Sequence, residues 1–158
     1  MKTVDLIFDN IGGIRALYLL PKSDVQRIDT NVASEQVIVV MRTRVNIIKV
    51  EVSDNDTFLF REDMSIEDGG IQYSVAISGL VQGRLASALV REMERGEWLA
   101  VHQDANGKIL LSGTIDLPLR CVTQKSSGST TTRNGVPFTL QATEAEPSKE
   151  CEGEIIED

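Results

Sequence analysis

Apolar and polar residues alternate most cleanly between Ile71 and Ser78. Ile71, Tyr73, Val75 and Ile77 take one face, and Gln72, Ser74, Ala76 and Ser78 the other. A period of two predicts a half-buried strand. The period then lengthens: Leu85, Ala88, Leu89 and Met93 fall on one stripe of an amphipathic helix over about 84–95, with Arg84, Arg91, Glu92, Glu94 and Arg95 on the wet face. Gly96 stands where helices commonly end in a left-handed residue. Strand pattern returns at Trp98–Gln103. Asn106-Gly107 then lies between apolar runs, a strong signal for a tight hairpin with Lys108–Gly113 as its returning arm.

The rest of the chain reads mostly as strands. Residues 14–21 form a run stopped by Pro21. Residues 22–36 are a polar connection with a short strand at Val25–Ile28, followed by apolar runs at Val37–Met41 and Val45–Val52. Ser53 to Asp56 supplies turn residues and Thr57–Arg61 resumes the strand, so 45–61 is expected to be a hairpin, with 62–70 a loop closed by Gly69-Gly70. A strand around Leu117–Val122, a Ser/Thr-rich loop at 125–135 and an alternating run through Val136, Phe138, Leu140 and Ala142 complete the pattern. Seven to nine strands with one helix predict a mainly β fold: an antiparallel β-sandwich or small barrel with one flanking α-helix. Residues 1–142 read as one β-rich domain. Residues 143–158 hold too little apolar surface to pack alone and are expected to be a disordered tail, Ile155-Ile156 being the pair that could dock on a partner.

Charge sharpens that division. The net charge is −8 over 158 residues, but 143–158 carry seven acids against Lys149, a net of −6, which leaves −2 on the body. The acidity belongs to the tail, and sequence-specific nucleic acid binding is not expected. Aromatics make up 4% of residues, so Val, Ile and Leu must build the core. No apolar run approaches the roughly 18 residues of a membrane span. The first residues, MKTVDLIFDNIGG, do not read as a signal peptide, and synthesis in a cytoplasm is expected.

Candidate chemistry is sparse. His102 is the only histidine; it shares a strand face with Trp98 and Ala100 and reads as a partly exposed strand residue, since no motif supplies a nucleophile or an orienting acid. Asp54, Asn55 and Asp56, with Glu62, Asp63, Glu67 and Asp68, lack the ligand spacing of a calcium loop and read as two solvated turns. Gly12-Gly13 and Gly69-Gly70 fit no phosphate loop. Cys121 reads as a small buried hydrophobe, Cys151 lies in the acidic tail, and no structural disulfide is expected. No catalytic residue, metal or cofactor is expected. The candidate subunit-contact residues are Lys125, Ser126, Ser127, Ser129, Thr130, Thr131, Thr132 and Arg133, cations and hydroxyls in a loop without apolar anchors, which reads equally as a solvated hairpin end.

Four blocks carry a resemblance: GGIQYSVAISG (69–79), LASALVREME (85–94), WLAVHQDANGKILLSG (98–113) and SGSTTTRNGVPFTLQATEAEP (127–147). Their order of Tyr-bearing strand, helix, hairpin and Ser/Thr loop resembles small virion structural proteins of tailed bacteriophages and prophages, including tail-tube and tail-completion components. The resemblance covers about half the chain. It implies a non-enzymatic tail or neck protein, one subunit of a symmetric oligomeric ring or tube. Its partners would be copies of itself and other virion proteins; it would reside in the virion after assembly in the bacterial host cytoplasm. The alternative is a carbohydrate- or cell-surface-binding β-sandwich module, which would need a cluster of exposed aromatics.

Overall fold

The structure, a computed structural model, describes residues 14–50, 58–82, 86–104, 107–123, 135–153 and 155–158. The first strand, β1 (Ile14–Pro21), ends at Pro21 and passes through a single 3-10 turn into β2 (Val25–Thr30) and β3 (Val37–Met41). After β4 (Ile48–Val50) come two long strands, β5 (Leu59–Glu67) and β6 (Gly70–Gln82). Helix α1 (Ala86–Arg95) leads into β7 (Glu97–Asp104), β8 (Ile109–Ser112), β9 (Leu119–Val122) and β10 (Gly135–Glu144). Two short strands, β11 (Lys149–Glu150) and β12 (Ile156–Glu157), close the chain.

Nine strands form one antiparallel sheet in the order β11-β8-β7-β9-β10-β6-β5, with β1 on the other side of β7 and β4 beyond β1. The Ile14 amide donates to the Phe58 carbonyl at 3.4 Å, bringing the start of β5 back to the start of β1, so this sheet curls towards a barrel. Strands β2, β3 and β12 make a second, three-stranded sheet. The expected mainly β architecture with one helix is what forms.

Strands β1 and β7 carry buried side chains on both faces and separate two cores. Leu17, Leu19, Trp98 and Ala100 face the first, with Phe58, Val75, Ile77, Phe138, Leu140 and the helix residues Val90 and Met93. Leu20, Leu99 and Val101 face the second, with Val37, Val39 and Met41 of the small sheet. Ile14 joins Leu17 in the first core although the two differ in parity. A bulge between Ile14 and Ala16 shifts the register by one and re-aims the side chain.

The helix turns Val90, Met93 and part of Leu89 inward; Ala88, expected on the same stripe, is exposed. Gly96 does not take the left-handed conformation expected of it. Its need is steric. A Cβ there would lie 2.7 Å from the Trp98 ring, whose Nε1 donates at 2.8 Å to the Met93 carbonyl and so caps the helix end.

Three sequence expectations are corrected here. β4 pairs with β1 (Leu17↔Val50), not with β5, so 45–61 is no hairpin among the described residues. Residues 62–67 are strand and not loop: β5 and β6 pair in register from Leu59↔Ser78 to Glu67↔Gly70 around a tight Asp68-Gly69 turn. The loop reading failed because most of those side chains meet water and leave no buried face to show a period. The tail is not disordered. β11 adds to β8, Cys151 bridges to Val37, and β12 runs parallel to β3, with the Cys151, Glu152 and Asp158 amides donating to the Ile109, Val37 and Met41 carbonyls at 2.9, 3.0 and 2.9 Å. Acidic side chains do not prevent this, because backbone groups do the pairing on two otherwise free strand edges. Only Cys151 and Ile155 are needed to reach the second core.

Candidate functional site

Polar groups gather at one end of the first core. Ring Nε2 of His102 lies 2.9 Å from Ser112 Oγ, which lies 2.9 Å from Ser148 Oγ on the tail. The His102 ring also rests on Phe60, with centroids 4.6 Å apart. Close by, the Glu144 carboxylate accepts the Gly113 amide at 2.5 Å and Glu62 accepts the Ser148 amide at 2.8 Å. His102 is 2% exposed and Ser112 0%, so the expectation of a partly exposed histidine is corrected. From Trp98 to His102 the side chains of β7 are buried on both sides.

Burial sets the protonation of this network. It pulls His102 down to about 4, against the charge of Asp104, so the ring is neutral near pH 7. It pushes the Glu144 carboxyl up to about 7, eased by the Gly113 amide and reinforced by the charge of Glu62. Histidine beside serine is the geometry of an activated nucleophile. Here the serine is wholly covered and its oxygen is shared with Ser148. The arrangement works as a satisfied polar tie between β7, β8 and the tail. Sequence reading missed Ser112 and Ser148 because their meeting depends on the β7–β8 register (Ala100↔Ser112) and on a tail taken to be loose.

The second region lies on β5 and β6. Rows of paired residues cross this sheet: Ala142–Val75–Glu62, then Glu144–Tyr73–Met64, then Ile71–Ile66, where β10 has already ended. These rows share the face that carries Phe60, Val75 and Ile77 in the core. Past Glu144 the face remains apolar and loses its cover. Met64 is 59%, Ile66 77% and Ile71 51% exposed. On the opposite face Arg61 pairs with Asp63 at 2.7 Å. Among the described residues the outer edge of β5 has no strand partner.

Comparison with protein-family models, curated proteins and solved structures found no match.

A third region is a groove of about 790 Å³ on the other face of β1 and β7, floored by Tyr18, Val101, Ile109 and Ile155 and walled by Ile47 and Arg44. Val45 stands on its lip, 85% exposed. Of the residues singled out from sequence, Lys125, Ser126, Ser127, Ser129, Thr130, Thr131, Thr132 and Arg133 lie outside the described residues, as do Asp54, Asn55 and Asp56. Glu62 turns inward to Ser148, while Asp63 and Asp68 lie along the exposed ribbon. Among the described residues no three His, Cys, Asp or Glu side chains gather as a metal-binding group. Cys121 and Cys151 are free thiols, half-buried and buried respectively. No helix among the described residues is long and apolar enough to cross a membrane.

Proposed function

We propose that this chain is a non-enzymatic structural subunit that assembles with copies of itself into a symmetric ring or tube. The resemblance of its central blocks to phage virion proteins points to a tail or neck as the setting and to other virion proteins as further partners. One observation carries the reading: the apolar face of the β5–β6 ribbon continues beyond the core, with Met64, Ile66 and Ile71 exposed beside a strand edge that has no partner among the described residues. An isolated apolar residue on a surface is ordinary; a contiguous patch on a projecting hairpin marks a contact surface. Unpaired edges likewise invite another chain unless they are blocked.

Glycan binding is less well supported. Trp98 is buried and engaged with Met93, and Tyr18 and Tyr73 sit in different regions, so no exposed aromatic platform forms among the described residues. Light scattering coupled to size exclusion, across a concentration series, tests the assembly reading. The expected result is a mass that rises to a fixed multiple of 17.4 kDa. A strict monomer at every concentration, alone and mixed with neighbouring virion proteins, overturns it.

A further inference from the structure

We propose that the acidic tail is a releasable strap and that the polar cluster at its root is a proton-operated latch. With Glu144 protonated the tail lies along β8 and β3; with Glu144 charged beside Glu62 it lifts away and bares both strand edges.

Little side-chain burial holds the tail itself. Of its described residues beyond Ser148 only Cys151 is buried; Glu152 and Ile155 are half-buried and the rest exposed. β11 and β12 are two residues each. The ion pairs Lys108–Glu150 at 3.2 Å, Arg44–Glu157 at 3.4 Å and Arg27–Asp158 at 3.5 Å all lie in water and contribute little. A segment with so few buried contacts opens locally at a fraction of the global stability.

The root is built differently. Residues 145–147 make an exposed bend between the buried Glu144 and Ser148. On one side of it the Glu144 carboxyl accepts the Gly113 amide just beyond β8. On the other, the Ser148 amide donates to Glu62 of β5, and its hydroxyl meets Ser112 of β8, which His102 of β7 backs. Two carboxyl groups, from β10 and β5, therefore meet where the tail leaves the sheet.

The groups facing Glu144 are Glu62 from β5, its register partner Tyr73 on β6, the Gly113 amide, and Lys149 from the tail, which pairs with Glu146 at 2.8 Å. His102 is neutral near pH 7 and adds no charge. Burial and the charge of Glu62 oppose ionisation; the Gly113 amide and Lys149 favour it and are outweighed, so the carboxyl stands at about 7 instead of 4.5. Lifting the tail returns this carboxyl to water and takes Ser148 from Glu62. The open form then gives up the proton more readily than the closed one. By linkage, opening grows as pH rises from 4.5 to about 7 and levels off above. Once β11 and β12 leave, β8 and β3 each hold an edge without a partner among the described residues. Such edges pair readily with another chain.

Hydrogen exchange on the full chain, read by NMR and corrected for the intrinsic pH dependence of exchange, tests the latch. The amides of Cys151, Glu152 and Asp158, which donate to Ile109, Val37 and Met41, are the reporters. Their protection should fall on the order of 100-fold between about pH 5 and 8. At every pH it should stay well below that of β6 amides, since the sheet remains closed. Glu144→Gln keeps an acceptor for Gly113 and should flatten the pH dependence. Ser148→Ala keeps the amide bond to Glu62; it should lower tail protection roughly 5-fold at every pH, with the parent's slope. Tail amides as protected as those of β6 would show that the tail opens only with the whole fold, and the strap falls. Tail protection independent of pH, or a parental slope in Glu144→Gln, removes Glu144 as the latch. Unchanged protection in Ser148→Ala would show that the tail is not held at its root.

Discussion

One apolar stripe on β6 meets two fates. Its rooted half, Val75 and Ile77, is closed off by Phe60, Leu140 and Phe138 in the first core. Its outboard end, from Tyr73 to Ile71, faces Met64 and Ile66 across the hairpin, and beyond the Glu144 row no third strand runs alongside among the described residues. The residue types are the same and so is the period. What differs is whether β10 still runs beside the ribbon, and β10 stops at Glu144. A hydrophobic pattern therefore reports which face is apolar and not what covers it, and cover supplied by another molecule leaves the same signature as cover supplied by the fold.

The largest expected effect comes from breaking the rooted half. Ile77 is fully buried and its removal would leave a cavity between β10 and β5. Ile77→Ala should cost about 3–4 kcal/mol in chemical denaturation, within the range for truncating a buried isoleucine. A cost below about 1 kcal/mol would mean that the two halves do not differ in burial, and the comparison would lose its basis.

The sequence was legible wherever one face meets core and the other water. β6, β10 and the helix all follow that rule. It failed where the rule fails. β7 carries buried side chains on both faces, so the polarity of His102 suggested an exposure it does not have. The residues of β5 beyond Glu62 are wet on most sides and read as loop. The tail carries strong acid bias, yet its role is to lay backbone along β8 and β3, which side-chain composition does not encode. The polar network was invisible for a related reason: its partners Ser112 and Ser148, Gly113 and Glu144, and Glu62 and Ser148 lie 36, 31 and 86 residues apart and meet only in the folded sheet. The groove was hidden too, since its floor comes from β1, β7, β8 and the tail at once.

A middle-sized effect tests where the buried half ends. Glu144 sits in the border row with Tyr73 and the exposed Met64. Its carboxyl, raised from 4.5 to about 7 by burial, stays protonated in the fold where the unfolded chain has already ionised. Over that window the unfolded state binds fewer protons, so Glu144 makes stability fall as pH rises, and the loss is complete above about 7. His102, lowered from 6.5 to about 4, acts in the opposite sense: stability rises with pH through its window. The two oppose each other between about pH 4.5 and 6.5. Glu144→Gln keeps an acceptor for the Gly113 amide and removes one of the two slopes. The variant should gain on the parent by about 2–3 kcal/mol between pH 4.5 and 7, with a constant difference beyond. A difference that stays flat across that window would mean the border row is already solvated, moving the boundary of the core inward by a row.

The smallest expected change in stability is also the most discriminating. Ile66 is 77% exposed, so Ile66→Ser in a dilute, monomeric sample should leave unfolding within about 0.5 kcal/mol of the parent. The same substitution at high concentration should abolish the assembled species, because an isoleucine buried at an interface contributes about 1.5–3 kcal/mol and each contact of a ring repeats that loss. The pairing of results matters more than either alone. Loss of stability comparable to Ile77→Ala would show that the outboard half is covered within its own chain. No loss of either kind would show that its apolar face touches nothing. Unchanged folding with lost assembly is the outcome that separates a stripe built to fold the chain from one built to join it to the next.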